Sequence, residues 1–144
     1  MDKTLIASAK TTVNASAENV WKVLTTPESI KLFLFGTDVT TDWKTESHIK
    51  FVGEYNGQTY EDKGIVIINE PFSLLEYSYW SSFSGLADKP ENYSMVSYRI
   101  KKIDENSCEF TWHQQGFSSE EGKCHTENGL ATMLEQIKGL AESA

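Results

Sequence analysis

The longest helical pattern in the chain lies at its carboxyl-terminal end. Apolar residues recur there at intervals of three and four, which places them on one face of a helix. This face carries Leu130, Met133, Leu134, Ile137, Leu140 and Ala141. Ser118 and Glu121 have the spacing of a capping box, so we expect the helix to occupy residues 118–144. Because an isolated amphipathic helix is only marginally stable, the preceding residues must supply an apolar surface for it.

The first quarter of the chain predicts one strand and two short helices. Residues 3–13 alternate between apolar and polar side chains, as a half-buried strand does. Helical spacing then links Ala17, Val20, Trp21 and Leu24. Thr26 and Pro27 end this helix and begin a second one, as its cap and its first residue, and Gly36 ends the second helix.

The period shortens to two between residues 37 and 117, which predicts a series of antiparallel strands. The segments with this pattern are residues 37–43, 47–55, 58–69, 72–80, 93–103 and 107–115, the first of them weak. Asn56-Gly57 predicts a two-residue hairpin turn, and Gly64 predicts a bulge or bend. Residues 81–92 form the main predicted loop.

This order of elements predicts an α+β fold, with a helix packed on one face of a sheet. A sheet of six or seven strands curls, so we expect a curved antiparallel sheet, two short helices after strand 1, and the long helix across it. A curled sheet and its helix enclose a concave space of the kind that holds small ligands. The length of 144 residues suits one domain, residues 1–144.

Composition narrows the classes of function. The net charge of −8 argues against nucleic acid as a partner, because no basic surface is available for phosphates. The longest apolar run, residues 65–68, is far too short for membrane insertion, and residues 1–15 lack the apolar centre of a signal peptide. We therefore expect a cytoplasmic protein, in which Cys108 and Cys124 are unpaired thiols.

Three blocks of sequence resemble a known family. Residues 20–28, VWKVLTTPE, are similar to the helix–break–helix of the START-like, birch-pollen-allergen-like (SRPBCC) superfamily. More narrowly, they resemble the activator of heat-shock-protein-90 ATPase homologue family, as do residues 64–74 and the last helix. Two positions depart from the family pattern. Phe33-Leu34-Phe35-Gly36 stands where Trp-Phe-Gly is usual, and Gly129-Leu130 stands where Gly-Trp is common.

The resemblance implies a helix-grip (START-like) fold with an inner cavity. Members of the superfamily bind hydrophobic small molecules, and some are cyclases or related enzymes acting on aromatic polyketides. The proteins that give the narrower family its name stimulate a chaperone ATPase.

Seventeen aromatic residues are the most informative excess in the composition. Tyrosines on a buried strand face favour a ligand cavity, because a buried phenol needs a hydrogen-bond partner. Ordinary core packing is the alternative explanation for each of these residues. The predicted cavity lining is Phe33, Phe51, Tyr60, Tyr77, Tyr79, Tyr98, Phe110, Trp112, Met133, Leu134 and Ile137.

The sequence offers few residues that could form a catalytic site. His48, His113 and His125 have no spacing typical of a zinc site, so we expect no metal and no cofactor. His113 is the best candidate for a general acid or base, but strand alternation points it away from the face of Phe110 and Trp112. No nucleophile stands beside a base, and we assign no catalytic residue.

Three functions remain. The first is non-enzymatic binding of a small hydrophobic or lipid-like molecule between the sheet and the last helix. The second is binding to a heat-shock chaperone, as in the ATPase activators. The third is a cyclase or hydrolase of a hydrophobic substrate. The sequence does not distinguish a monomer from a homodimer.

Overall fold

The computed structural model describes all 144 residues and confirms the predicted α+β fold. The elements in chain order are β1 (Asp2–Val13), α1 (Ala17–Thr25), α2 (Pro27–Phe33), β2 (Asp38–Thr40), β3 (His48–Tyr55), β4 (Gln58–Glu70), β5 (Leu74–Tyr79), β6 (Ser94–Asp104), β7 (Ser107–Phe117) and α3 (Glu120–Glu142). A single 3-10 turn at Pro90–Asn92 lies within the long loop between β5 and β6.

The strands form one curved antiparallel sheet in the order β1-β7-β6-β5-β4-β3-β2. The pair α1–α2 connects the two edge strands, β1 and β2. The long helix α3 contacts β1 and β7 as well as α1 and α2, so the three helices share the concave face of the sheet. None of the helices is long and apolar enough to cross a bilayer.

Hydrogen bonds within the polypeptide define the helix ends, and the predicted cap of α3 is wrong by one residue. Ser119, not Ser118, caps α3 by accepting a hydrogen bond from the Gly122 amide at 3.1 Å. The helix starts later because β7 continues to Phe117, which pairs with Asp2 of β1. Thr26 precedes α2 as predicted, but its hydroxyl donates to the Lys22 carbonyl and leaves the α2 amides uncapped.

Gly64 permits a close approach between strands rather than a bulge. A Cβ atom there would lie 1.7 Å from the Ser78 carbonyl oxygen, so any side chain would push β4 and β5 apart. The pairing irregularity in this part of the sheet falls instead between Val66 and Ile68. The predicted bulge was therefore placed two to four residues too early.

Strand alternation separates a buried concave face from a more polar convex face. Along β7, Cys108, Phe110, Trp112 and Gln114 are buried, while the residues between them are half-buried. The buried side chains of the strands join those of the three helices in one core cluster of 27 residues. The apolar stripe of α3 supplies Leu130, Met133, Leu134, Ile137 and Ala141 to this cluster, as predicted.

Candidate functional site

The concave face carries an aromatic wall built from three neighbouring strands. Tyr77 of β5, Tyr98 of β6 and Trp112 of β7 are all at most 4% exposed. The Tyr77 and Tyr98 rings meet edge to face with centroids 5.5 Å apart, and the Tyr98 and Trp112 rings are 4.7 Å apart. Phe110 contacts Tyr98 at 5.9 Å, and Phe51 contacts Tyr77 at 5.8 Å. The wall is thus continuous from β3 to β7.

The helices cover this wall with flexible apolar side chains. Phe33 from α2 and Met133, Leu134 and Ile137 from α3 are at most 6% exposed and belong to the same core cluster. Met133 is the most adaptable of them, since an unbranched thioether can repack around differently shaped neighbours. The structure therefore brings together nine of the eleven predicted lining residues as one buried group, with Tyr60 and Tyr79 half-buried beside it.

Two polar groups in the wall lack acceptors. The Tyr77 and Tyr98 hydroxyls are 2.7 Å apart and bond to each other. Burial raises the pKa of both phenols well above the usual value, and neither has another hydrogen-bond partner. The buried Trp112 indole Nε1–H has no partner at all. Since more than 90% of such buried groups are paired in proteins, this arrangement is unusual.

A second polar cluster on the same face is completely paired. Asp62 of β4 is 4% exposed. Its carboxylate accepts hydrogen bonds from the Tyr79 hydroxyl at 2.5 Å and from the Ser82 amide and hydroxyl at 2.8 and 2.9 Å. Burial, with the Asp62 charge next, raises the pKa of Tyr79 well above normal. Asp62 thereby ties the start of the long loop to the sheet.

Aromatic side chains also form a surface rim beside this loop. Phe83 of the loop is 51% exposed and lies 5.5 Å from the Tyr60 ring and 6.1 Å from the Tyr55 ring, between centroids. Tyr60 crosses the opposite strand over Gly53, where a Cβ would meet the Tyr60 hydroxyl at 2.4 Å. The Tyr60 hydroxyl is 2.6 Å from that of Thr37, which precedes β2. We call Tyr55, Tyr60 and Phe83 the aromatic rim.

A cluster of buried side chains occupies the region between the sheet and α3. Two depressions, of about 520 and 480 Å³, lie elsewhere. One follows the outer side of α3, near Glu135 and Gly139, and the other lies near Asp42 and His48. Whether the interior opens to accept a ligand stays a prediction.

The candidate catalytic groups do not converge on the interior. His113 lies half-buried on the convex face, as predicted, opposite the face of Trp112. On that face the Ser97 hydroxyl donates to the Glu76 carboxylate at 2.8 Å, and His113 is the residue opposite Ser97 on the paired strand, so these groups lie on the other side of the sheet from the aromatic wall. His48 and His125 are exposed. No three His, Cys, Asp or Glu side chains are grouped closely enough to hold a metal ion.

Sequence reasoning missed four buried polar residues on the concave side of the sheet. These are Thr37, Asp62, Ser94 and Gln114, all at most 7% exposed. A polar residue at an inward position of an alternating strand was the available signal for Asp62 and Gln114, because such a residue needs a partner or a function.

The sheet, the two short helices and the gripping α3 define a helix-grip protein of the START-like class. Among solved structures, the chain is similar to the solution structure of ChR145 from Cytophaga hutchinsonii, with 39% identity over 99% of this chain and 97% of that one, and a TM-score of 0.80. The Aha1 dimer from Colwellia psychrerythraea has 17% identity over 95% and 96%, and a TM-score of 0.73.

A third similar structure is CV1439 from Chromobacterium violaceum, with 15% identity over 96% and 98% of the two chains and a TM-score of 0.78. A comparison with curated proteins gives no match. The sequence model of the Activator of Hsp90 ATPase homolog 1-like protein family matches residues 14–142. The chain belongs to this family.

Proposed function

We propose that the protein binds a small hydrophobic molecule between the concave face of the sheet and α3, without catalysing a reaction. One observation carries this proposal. Aromatic side chains extend from the exposed rim at Phe83 to the buried wall at Trp112. A core that needed only apolar packing would not require aromatic residues on five neighbouring strands or an exposed end to the series.

The connection between rim and wall passes through β4. Tyr60 of the rim and Asp62 lie two residues apart on the same face of that strand, and Asp62 binds Tyr79. The Tyr79 ring is 5.4 Å from the Phe51 ring, which in turn contacts Tyr77. A ligand that entered beside Phe83 would thus pass from the aromatic rim, past the Asp62–Tyr79 hydrogen bond, to the aromatic wall.

Entry requires a local opening, because side chains occupy the interior in this structure. The long loop is the element we expect to move. Apart from the packing of Phe83 in the aromatic rim, its attachments are polar, namely the Asp62–Ser82 bonds, the Lys63–Asp88 ion pair and the Trp80 indole bond to the Leu86 carbonyl. Regions held by few buried apolar contacts open at low free energy.

Native mass spectrometry of the gently purified protein tests the proposal, together with thermal-shift measurements against fatty-acid esters and neutral polycyclic aromatic compounds. We expect a retained or added mass of a few hundred daltons and a raised Tm. A Met133→Trp variant should lose this response, because the larger side chain takes up ligand space. Ala131→Trp, on the exposed side of the same helix, is the matched control. Equal binding by both folded variants would contradict the proposed site.

Binding to a heat-shock chaperone is a second candidate, favoured by one surface feature. Leu32 and Phe35 at the end of α2 are 58% and 63% exposed, an apolar pair of the kind that marks protein interfaces. We expect the host's 90-kDa heat-shock chaperone to hydrolyse ATP faster when this protein is added, and Leu32→Glu with Phe35→Glu to abolish the increase. No increase with the unaltered protein would contradict this candidate.

A further inference from the structure

The hydrogen-bond donors of the aromatic wall outnumber its acceptors. The Tyr77 and Tyr98 hydroxyls carry two hydrogens, and only one of these lies between the two oxygens. The second has no protein acceptor, since each phenol has the other as its only partner. The Trp112 indole adds one more unpaired donor. Two hydrogens therefore lack acceptors on adjacent strands of a buried face.

We propose that the ligand is a neutral apolar molecule with an oxygen acceptor, a carbonyl above all, which accepts hydrogen bonds from Trp112 Nε1 and from the Tyr77–Tyr98 hydroxyl pair. This inference rests on the proposed function and adds the chemical class of the ligand. The Tyr98 and Trp112 side chains belong to directly paired residues, and their rings are 4.7 Å apart. Both donors therefore lie on the same buried face, in the cluster that also contains Met133 and Ile137.

Charge distribution selects a neutral ligand over a carboxylate. No Lys, Arg or His is buried, and the single buried ionisable carboxyl, Asp62, lies on the same face of the sheet. A ligand carboxylate would lose its hydration without gaining a counter-charge, which is strongly unfavourable in a protein interior. An ammonium group would leave these hydrogens without an acceptor, because it carries only donors.

The Trp112 donor has no structural explanation within the chain. A buried unpaired N–H lowers stability, so a phenylalanine would suit an inward position with a purely packing role better. Two of the other three indoles show the contrast. Trp43 Nε1 donates to the Thr25 carbonyl at 3.0 Å and Trp80 Nε1 to the Leu86 carbonyl at 3.2 Å. We therefore infer that the Trp112 Nε1–H donates to a ligand.

Three compounds of matched size test the inference, namely benzophenone, diphenylmethane and diphenylacetate. They share two phenyl rings and differ in bearing a carbonyl, no acceptor, or a carboxylate. We expect benzophenone to bind at least about five-fold more tightly than diphenylmethane, the effect of one additional hydrogen bond. Diphenylacetate should bind most weakly. Isothermal titration measures the three affinities.

Trp112→Phe should remove the preference for benzophenone over diphenylmethane, whatever its effect on the affinity for both compounds. Trp21→Phe is the control, since Trp21 is half-buried against Phe72, away from the wall. Should Trp112→Phe fail to fold, the unaltered protein provides the readout. The Trp112 Nε1–H signal in a nitrogen–proton NMR spectrum should move downfield with benzophenone and not with diphenylmethane.

The outcomes separate the two proposals. Binding of diphenylmethane as tight as that of benzophenone, or an unchanged Trp112 signal with benzophenone bound, overturns the carbonyl inference while the hydrophobic site stands. Tightest binding of diphenylacetate overturns the neutral-ligand argument. Absence of binding by all three compounds counts against the proposed function itself and against this inference with it.

Discussion

Two polar clusters share the concave face of the sheet and differ in one respect. Around Asp62, every group has a partner within the protein, and the partners join β4, β5 and the long loop. Around Trp112, two hydrogens have none. Buried polar groups lower stability when unpaired and hold elements in place when paired. We therefore infer that the Asp62 cluster stabilises the fold and that the Trp112 cluster binds the ligand.

The largest expected effect comes from breaking the paired cluster. Asp62→Ala removes a carboxylate that accepts three hydrogen bonds and leaves the Tyr79 hydroxyl buried without a partner. We expect the free energy of unfolding to fall by about 4 kcal/mol. Urea denaturation measures the change. Glu61→Ala is the control, because Glu61 pairs with Lys50 at the surface and should alter stability by less than about 0.5 kcal/mol. Similar losses in the two variants would contradict the role of Asp62.

Tyrosines of both clusters should make the protein less stable at alkaline pH. Burial raises the pKa of Tyr77, Tyr79 and Tyr98 in the folded state. Each folded phenol then holds its proton more tightly than the unfolded chain, whose tyrosines have a pKa of about 10. The stability this gives is complete below pH 10 and is lost above it, at about 1 kcal/mol for each tyrosine between pH 10 and 11.

The three tyrosines together should reduce the free energy of unfolding by about 3 kcal/mol over that interval. Urea denaturation at successive pH values gives the slope. Tyr98→Phe should lessen it by about one third, and Tyr55→Phe, at an exposed position, should not change it. A slope independent of the buried tyrosines would show that these phenols ionise as easily folded as unfolded.

These contrasts mark the limit of what the sequence could predict. The spacing of apolar residues and the turn residues predicted the strands and helices. The alternation along β7 and the apolar stripe of α3 depend only on the sequence of those segments. The cap of α3 was predicted one residue too early, and the hydroxyl partner of Thr26 was not foreseen, because both hydrogen bonds depend on neighbouring elements. Ser119 and Thr26 take partners that depend on where β7 ends and on the preceding helix.

Partners of inward polar residues were harder to predict. Asp62 and Tyr79 are 17 residues apart, and their bond exists only because the loop returns Ser82 to the same place. The residue lists for the wall followed from alternation alone. The register between β5, β6 and β7 decides which of these side chains form hydrogen bonds with each other. It also leaves the Trp112 indole without a hydrogen-bond partner.

Two tryptophans provide a smaller and more direct test. Trp43→Phe removes an indole that bonds to the Thr25 carbonyl and leaves that carbonyl without its donor. Trp112→Phe removes an indole with no partner. In the absence of ligand we expect the first change to lower the free energy of unfolding by about 1 kcal/mol more than the second. Thermal and urea unfolding of both variants measure the difference. A greater loss for Trp112→Phe would indicate that its Nε1–H is satisfied within the protein.

The smallest expected effect lies next to Asp62 in sequence. Lys63 is exposed, pairs with Asp88 of the long loop and lies 5.8 Å from the centre of the Trp80 ring. Although it also ties the loop to β4, its charge stays in water, where an ion pair contributes little. Lys63→Ala should therefore lower the free energy of unfolding by only about 0.5 kcal/mol, and less in 1 M salt. If urea denaturation instead shows a loss comparable to that of Asp62→Ala, the loop is held as firmly by its surface charges as by the buried carboxylate, and burial would not distinguish the two attachments.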